Sequence, residues 1–207
     1  MKTREEIMKL MEEKAKNLKS QKHNANIEKD VCDCNTPKYW ENTTPSFLDE
    51  EEFRIVHKVG NFNKYCYYIS NLGRVMVVKD SSGEWENKTV INKKTNFDWK
   101  NCWLIPVKDG YLSEKAKNIV IDDENSITLS TLTDVYKFMM ETDWLDTDPK
   151  NQKAKEKANE IVEYNKKNNT DSNDRVELHH IDNNPSNNCV DNLIWVPKSI
   201  HQTLHEK

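Results

Sequence analysis

Apolar residues recur at helical spacing near the start of the chain. Within residues 5–18 they fall every three or four positions, with lysine and glutamate between them: Ile7, Leu10, Met11, Ala15 and Leu18. This spacing predicts an amphipathic helix that packs on its own domain, with a short coiled-coil pairing as the alternative. Residues 21–52 are polar and end in an acidic run, so they predict a linker or a loosely ordered cover.

Strand-forming residues predict a small antiparallel sheet in the middle of the chain. Residues 53–56 and 65–70 have strand composition, and a turn at 71–73 leads into a third strand at 74–78. Two strands joined by so short a turn predict a β-hairpin. Further strands are predicted at residues 89–92, 102–107 and 118–121, and they would extend the same sheet.

Two helices are predicted between the sheet and the C-terminal segment. The first begins at Ser130, ends near Trp144 and carries Val135, Phe138 and Met139 on its apolar face. The second spans residues 152–167, within the stretch that holds the lysines at positions 150, 153, 155, 157, 166 and 167. A charge run is usually a solvated face, and a phosphate-facing helix is the alternative.

The C-terminal segment has the pattern of a strand, a loop, a second strand and a helix. A short apolar run carries a histidine pair, residues 182–188 are rich in Asn, Pro and Ser, and residues 193–196 are apolar again. Pro197 ends the second strand, and the helix is predicted to begin at Ser199 or, alternatively, at Lys198.

This segment also holds four of the six histidines of the chain, namely His179, His180, His201 and His205. The last two lie one helical turn apart on the same face. Imidazole binds divalent metals and accepts protons near neutral pH, so the set suits a metal site with one general base. Adjacent histidines on a strand point to opposite faces, which favours one ligand and one base. The alternative is a zinc-stabilised fold that the four histidines hold together, with or without Cys189.

These spaced residues resemble the signature of the HNH endonucleases, which belong to the ββα-metal class. The resemblance rests on His-His-Ile-Asp-x-Asn at residues 179–184, the pair at 187–188, Asp-Asn-Leu at 191–193 and His-x-x-x-His at 201–205. The resemblance implies the following roles: His179 and His201 as metal ligands, His205 as a third ligand, His180 as the general base and Asn192 as the residue that pins the loop.

The resemblance covers about residues 170–207 and implies hydrolysis of double-stranded DNA. A phosphodiester is an anion that repels hydroxide, so its hydrolysis needs a cation to neutralise charge and a base to deprotonate water. Mg²⁺ is the default cofactor that the family implies, and Mn²⁺, Ni²⁺ or Zn²⁺ are alternatives because imidazole also suits them. The expected mechanism uses one metal ion and leaves 5′-phosphate ends.

Three basic residues are candidates for DNA contacts. Residues 68–75 resemble a short motif that precedes the HNH domain in phage-encoded, homing-type endonucleases and is associated with DNA binding, which makes Arg74 the first candidate. A plain hairpin would produce the same string. Arg175 and Lys198 flank the histidine segment and would reach phosphate, although isolated basic residues are more often solvated.

Composition limits the function classes. A formal net charge of −4 argues against a strongly basic nucleic-acid coat, so DNA binding would depend on local patches. Five cysteines without a C-x-x-C pair favour a reducing compartment. No apolar run of membrane length is present in the sequence, so we expect a cytoplasmic protein of a bacterial or phage-infected cell, without a membrane partner.

The sequence therefore predicts an α+β chain with an N-terminal helix and linker (1–52), a β-rich DNA-recognition region (53–129), a helical connector (130–169) and an HNH module (170–207). The predicted function is a metal-dependent DNA endonuclease. The alternative is a non-catalytic HNH-fold interaction or DNA-binding protein of a phage or defence assembly. A toxin-type nuclease is a third interpretation. The sequence leaves open whether the protein forms a homodimer or binds a phage or host protein.

Overall fold

The computed structural model describes residues 2–19, 38–56, 65–79, 88–112 and 135–205. These residues form two compact units. The histidine unit comprises Met1–Thr36, Asp146–Asn183 and Asp191–Lys207, and the sheet unit comprises Pro37–Leu145 and Asn184–Val190. The mixture of helices and antiparallel sheets confirms the predicted α+β class. The units do not follow the predicted boundaries, because each draws on segments that are distant in sequence.

The sheet unit is built on five antiparallel strands in the order β4-β1-β2-β3-β5. They are β1 (Glu52–Ile55), β2 (Tyr65–Ser70), β3 (Val75–Lys79), β4 (Val90–Asn92) and β5 (Cys102–Ile105). Side chains that alternate along these strands form one core cluster, which includes Phe53, Tyr68, Met76, Ile91 and Leu104. The predicted hairpin of β2 and β3 is confirmed, with Tyr67 opposite Val77.

The predicted strand at 102–107 is interrupted at Pro106, which separates β5 from β6 (Val107–Lys108). Proline lacks a backbone N–H and breaks the ladder. Strand β6 pairs with β7 (Tyr111–Leu112) in a separate hairpin. The predicted strand at 118–121 lies outside the described residues.

Two short helices follow the strands in sequence: α2 (Val135–Glu141) and α3 (Trp144–Thr147). They replace the single helix predicted from Ser130 to Trp144, of which residues 130–134 lie outside the described part. The indole N–H of Trp144 donates to the carbonyl of Ile69 at 3.1 Å.

The end of the polar segment covers the core of the sheet unit. Trp40 is buried in a short 3₁₀ helix (Tyr39–Glu41), and the ring of Phe47 packs against Phe53, Phe97 and Trp99. Residues 21–37 of the same predicted segment lie outside the described part of the chain.

The histidine unit contains α1 (Arg4–Lys19), α4 (Pro149–Lys167), β8 (Val176–His180), β9 (Leu193–Pro197) and α5 (Lys198–His205). The order of strand, loop, strand and helix at its C-terminal end is as predicted. Helix α4 begins three residues before the predicted start because Asp148 caps it, accepting from the backbone N–H of Asn151 at 3.0 Å.

Helix α1 belongs to the histidine unit. Its apolar face is buried through Ile7, Met11 and Ala15. The guanidinium of Arg4 donates to the side-chain oxygen of Asn151 at 3.1 Å and to the carbonyls of Asp191 and Leu193. The helix therefore packs on its own domain, as the first of the two predicted alternatives states. No described helix is both long and apolar enough to cross a membrane.

Candidate metal centre

The pairing of β8 with β9 sets the directions of the adjacent histidines. His179 lies opposite Ile194 and His180 lies opposite Leu193. Because side chains alternate along a strand, Glu177 and His179 share one face and His180 points to the other. His179 is only 2% exposed, whereas His180 is half-buried.

Helix α5 supplies the other two histidines on the face of His179. The helix begins at Lys198, and its first turn is capped from a distance by buried Asp174, whose carboxylate accepts from the N–H and the hydroxyl of Ser199 at 3.0 Å each. Ile200 and Leu204 bury the apolar face of the helix. His201 and His205 follow them in sequence and lie one turn apart.

Three imidazoles meet at one point. The ring centroids of His179, His201 and His205 are 4.9 to 5.0 Å apart. One ligand nitrogen from each ring lies within 4.8 Å of the other two. We call this group the histidine triad. His180 and Cys189 do not belong to it, so the arrangement differs from a zinc fold that uses all four histidines and the cysteine.

Burial and neighbouring imidazoles favour the neutral forms of His179 and His205. Burial, followed by the neighbouring rings of His201 and His205, lowers the pKa of His179 from 6.5 to about 3, with smaller contributions from His180 and Lys2. Burial and His201 also lower the pKa of His205. The Nδ1 atom of His179 is buried without a hydrogen-bond partner. Neutral imidazole is the form that binds a metal ion, and an unsatisfied buried nitrogen is costly without a ligand.

Glu177 orients one ring of the triad. Its carboxylate Oε2 lies 2.8 Å from Nδ1 of His201, and its Oε1 pairs with the guanidinium of Arg175 at 2.6 Å. With Nδ1–H donated to the carboxylate, Nε2 of His201 carries the free lone pair. Sequence reasoning missed Glu177. The available signal was its position two residues before His179, which places both side chains on one face of the strand.

Asn192 and Asp182 join the two ends of the loop between β8 and β9. The amide of Asn192 accepts from the N–H of Asp182 at 3.1 Å and donates to its carboxylate at 2.9 Å, while the carbonyl of Asn192 accepts from the N–H of Ile181 at 2.8 Å. We call these contacts the Asp182–Asn192 clasp. Next to it, Asn183 adopts a positive φ of 57° and donates its N–H to the carbonyl of His180 at 2.9 Å.

The burial of Arg74 corrects its assignment as a DNA contact. Arg74 is 1% exposed, and its guanidinium forms an ion pair with buried Glu51, with N–O distances of 2.5 and 2.8 Å. It also donates to the carbonyl of Ser46 at 2.6 Å. A guanidinium held this way has no surface on which to receive a phosphate.

The other two predicted DNA contacts lie at the surface of the histidine unit. Arg175 is exposed while it pairs with Glu177, and Lys198 is half-buried as the first residue of α5. The backbone N–H of Lys198 donates to the carbonyl of Arg175 at 2.8 Å, which brings the two residues together beside the triad.

Comparisons with protein-family models, curated proteins and solved structures found no match for this chain.

Proposed function

We propose that the protein is a metal-dependent endonuclease of the HNH type that hydrolyses DNA. The observation that carries the proposal is the histidine triad within a strand-loop-strand-helix unit. A fourth histidine, His180, is adjacent to His179 on the strand and points to the opposite face. A purely structural site has no need of the fourth imidazole, whereas hydrolysis needs both a cation and a base.

The donor set fits a transition metal better than Mg²⁺. Three imidazoles without a carboxylate ligand suit Zn²⁺, Ni²⁺ or Mn²⁺, while Mg²⁺ prefers oxygen ligands and retains several waters. His179, His201 and His205 would hold the ion, with Glu177 fixing the ring of His201. Such a cation, when bound, neutralises the charge that develops on the phosphoryl and leaving oxygens.

The remaining residues have roles that follow from their contacts. His180 would accept the proton of the attacking water, because it lies outside the histidine triad and histidine is the commonest general base in proteins. The Asp182–Asn192 clasp fixes the backbone that follows His180. Arg175 and Lys198, which lie at the surface of the histidine unit, would contact phosphate oxygens.

A test of the proposal is cleavage of supercoiled plasmid by wild-type and His180→Ala protein. Each protein is assayed with EDTA, Mg²⁺, Mn²⁺, Ni²⁺ or Zn²⁺, and an RNA of the same sequence tests sugar preference. We expect metal-dependent nicking or linearisation by the wild type and a loss of about 10²- to 10⁴-fold in the variant. His23→Ala, the same change at a histidine outside the C-terminal segment, serves as the control. Equal cleavage by His180→Ala would contradict the assignment of the base.

The alternative function is a non-catalytic interaction or DNA-binding protein that retains the metal centre as a structural element. The formal net charge of −4 favours it, because strong phosphate affinity needs a surplus of Lys and Arg. In that case the metal would raise the stability of the histidine unit, and no metal would support cleavage. The plasmid assay therefore separates the two functions.

A further inference from the structure

The loop between the two strands of the metal centre is held by the sheet unit. Residues 184–190 belong to that unit, although they connect β8 to β9 in sequence. Three of them, Ser186, Asn187 and Asn188, are at least nine-tenths buried. Polar side chains buried to this extent are usually fixed by hydrogen bonds, and here the amide of Asn188 donates to the carbonyls of Pro185 and Ser186.

One turn that holds the loop is the hairpin turn at residues 71–73. The carbonyl of Asn71 accepts from the N–H of Val190 at 2.9 Å. Gly73 has a positive φ of 77°, and a Cβ atom there would lie 2.6 Å from the carbonyl carbon of Asn188 and 2.7 Å from the amide nitrogen of Cys189. Only glycine allows this approach of two backbones.

The turn itself is held by hydrogen bonds to Ser70. Ser70 accepts from the N–H groups of Leu72 and Arg74 through its hydroxyl, at 3.2 and 3.0 Å, and from the N–H of Gly73 through its carbonyl at 2.9 Å. The buried pair of Arg74 with Glu51 anchors the following residue. Residues 68–75, which resemble a DNA-binding motif, thus contact and support the loop at residues 184–190.

A second glycine turn, at residues 109–110, holds the other side of the loop. The N–H of Gly110 donates to the hydroxyl of Ser186 at 3.4 Å. Gly110 also has a positive φ, of 83°, and a Cβ atom there would lie 3.2 Å from Cβ and 3.3 Å from the carbonyl oxygen of Pro185. This contact is looser than the contact at Gly73, so we expect a substitution at Gly110 to have a smaller effect.

We propose that the turns at 71–73 and 109–110 are positioning elements of the catalytic site, an inference that rests on the proposed function. Both ends of the held loop run directly into the Asp182–Asn192 clasp: Asn184 follows Asn183, and Val190 precedes Asp191. Asn183 in turn donates to the carbonyl of His180. We therefore expect a displacement of the loop to shift the backbone of the general base, His180, more than the triad, two of whose members lie on α5.

The test compares the full-length wild type with Gly73→Ala, Gly110→Ala and the control Lys94→Ala, which changes an exposed side chain of the sheet unit. We expect kcat for plasmid cleavage to fall about 100-fold in Gly73→Ala and less in Gly110→Ala, because small misplacements of catalytic groups have effects of this size. KM, Co²⁺ affinity and the Co²⁺ absorption spectrum should stay at their wild-type values. Amide exchange at Asp182 and Asn183 should become about tenfold faster.

Unchanged kcat and unchanged amide exchange in folded Gly73→Ala would overturn the proposal, as would a parallel loss of Co²⁺ affinity and kcat, which indicates general damage. If Gly73→Ala does not fold, the milder Gly110→Ala carries the same comparison. If the wild type cleaves nothing, the proposed function fails, while the exchange measurement still decides whether the turns fix the clasp.

Discussion

The two units bury polar groups in opposite ways. In the sheet unit, Arg74 and Glu51 are 1% and 0% exposed at their side chains and have opposite charges that satisfy each other. In the histidine unit, the triad brings together three groups that repel one another when protonated, and Nδ1 of His179 has no hydrogen-bond partner. A satisfied pair indicates a structural role. A cluster of imidazoles that repel one another when protonated, with one buried nitrogen left unsatisfied, indicates a ligand.

The largest effect is expected when the buried ion pair of the sheet unit is broken. Arg74→Ala should lower the free energy of unfolding by about 3–5 kcal/mol, because it leaves the carboxylate of Glu51 buried without a partner. Urea denaturation measures the loss. The double variant Arg74→Met with Glu51→Leu should lose less than the single variant, since it removes both charges. A loss below about 1 kcal/mol in Arg74→Ala would contradict the structural role.

A smaller effect is expected at the carboxylate that supports the triad. Glu177→Gln keeps the shape of the side chain but removes its charge, so it should weaken metal binding about 10- to 100-fold. Isothermal titration with Zn²⁺ measures the change. Glu163→Gln, at an exposed position on α4, is the matched control and should bind as the wild type does. Equal affinities for the two variants would show that Glu177 does not orient His201.

The smallest expected effect is a pH dependence of the metal-free protein. The unfolded chain protonates His179 near pH 6.5, whereas the folded chain does so only near pH 3, so unfolding takes up a proton between these values. Stability should therefore fall as the pH decreases below 6.5, by up to about 1.4 kcal/mol per pH unit from this residue. Denaturant midpoints of the wild type and of His179→Phe between pH 6.5 and 5 isolate the contribution. Parallel profiles would contradict it.

The local pattern of the sequence was sufficient to place most elements of the site. Period-two alternation separates the directions of His179 and His180, and the i, i+4 spacing puts His201 and His205 on one helical face. Asp182 and Asn183 were recognisable as loop-forming residues by type. These features depend on neighbours within a few positions, which is the range over which sequence patterns predict structure.

Features that depend on residues distant in sequence could not be predicted from these local patterns. The burial of Arg74 depends on Glu51 and on the carbonyl of Ser46, and a basic residue in a motif gives no sign of such partners. Likewise, Arg4 joins α1 to β9 through the carbonyl of Leu193, which lies almost the whole chain away. The predicted domains are consecutive in sequence because local patterns carry no sign of such distant contacts.

Co²⁺ titration of the wild type and His179→Ala, followed by absorption spectroscopy, tests the central claim most directly. The account predicts that the wild type binds one Co²⁺ per chain with a spectrum typical of nitrogen ligation, and that His179→Ala loses this binding while it stays folded. Equal binding by the two proteins, or no binding by the wild type, would contradict the assignment of the histidine triad as a metal centre.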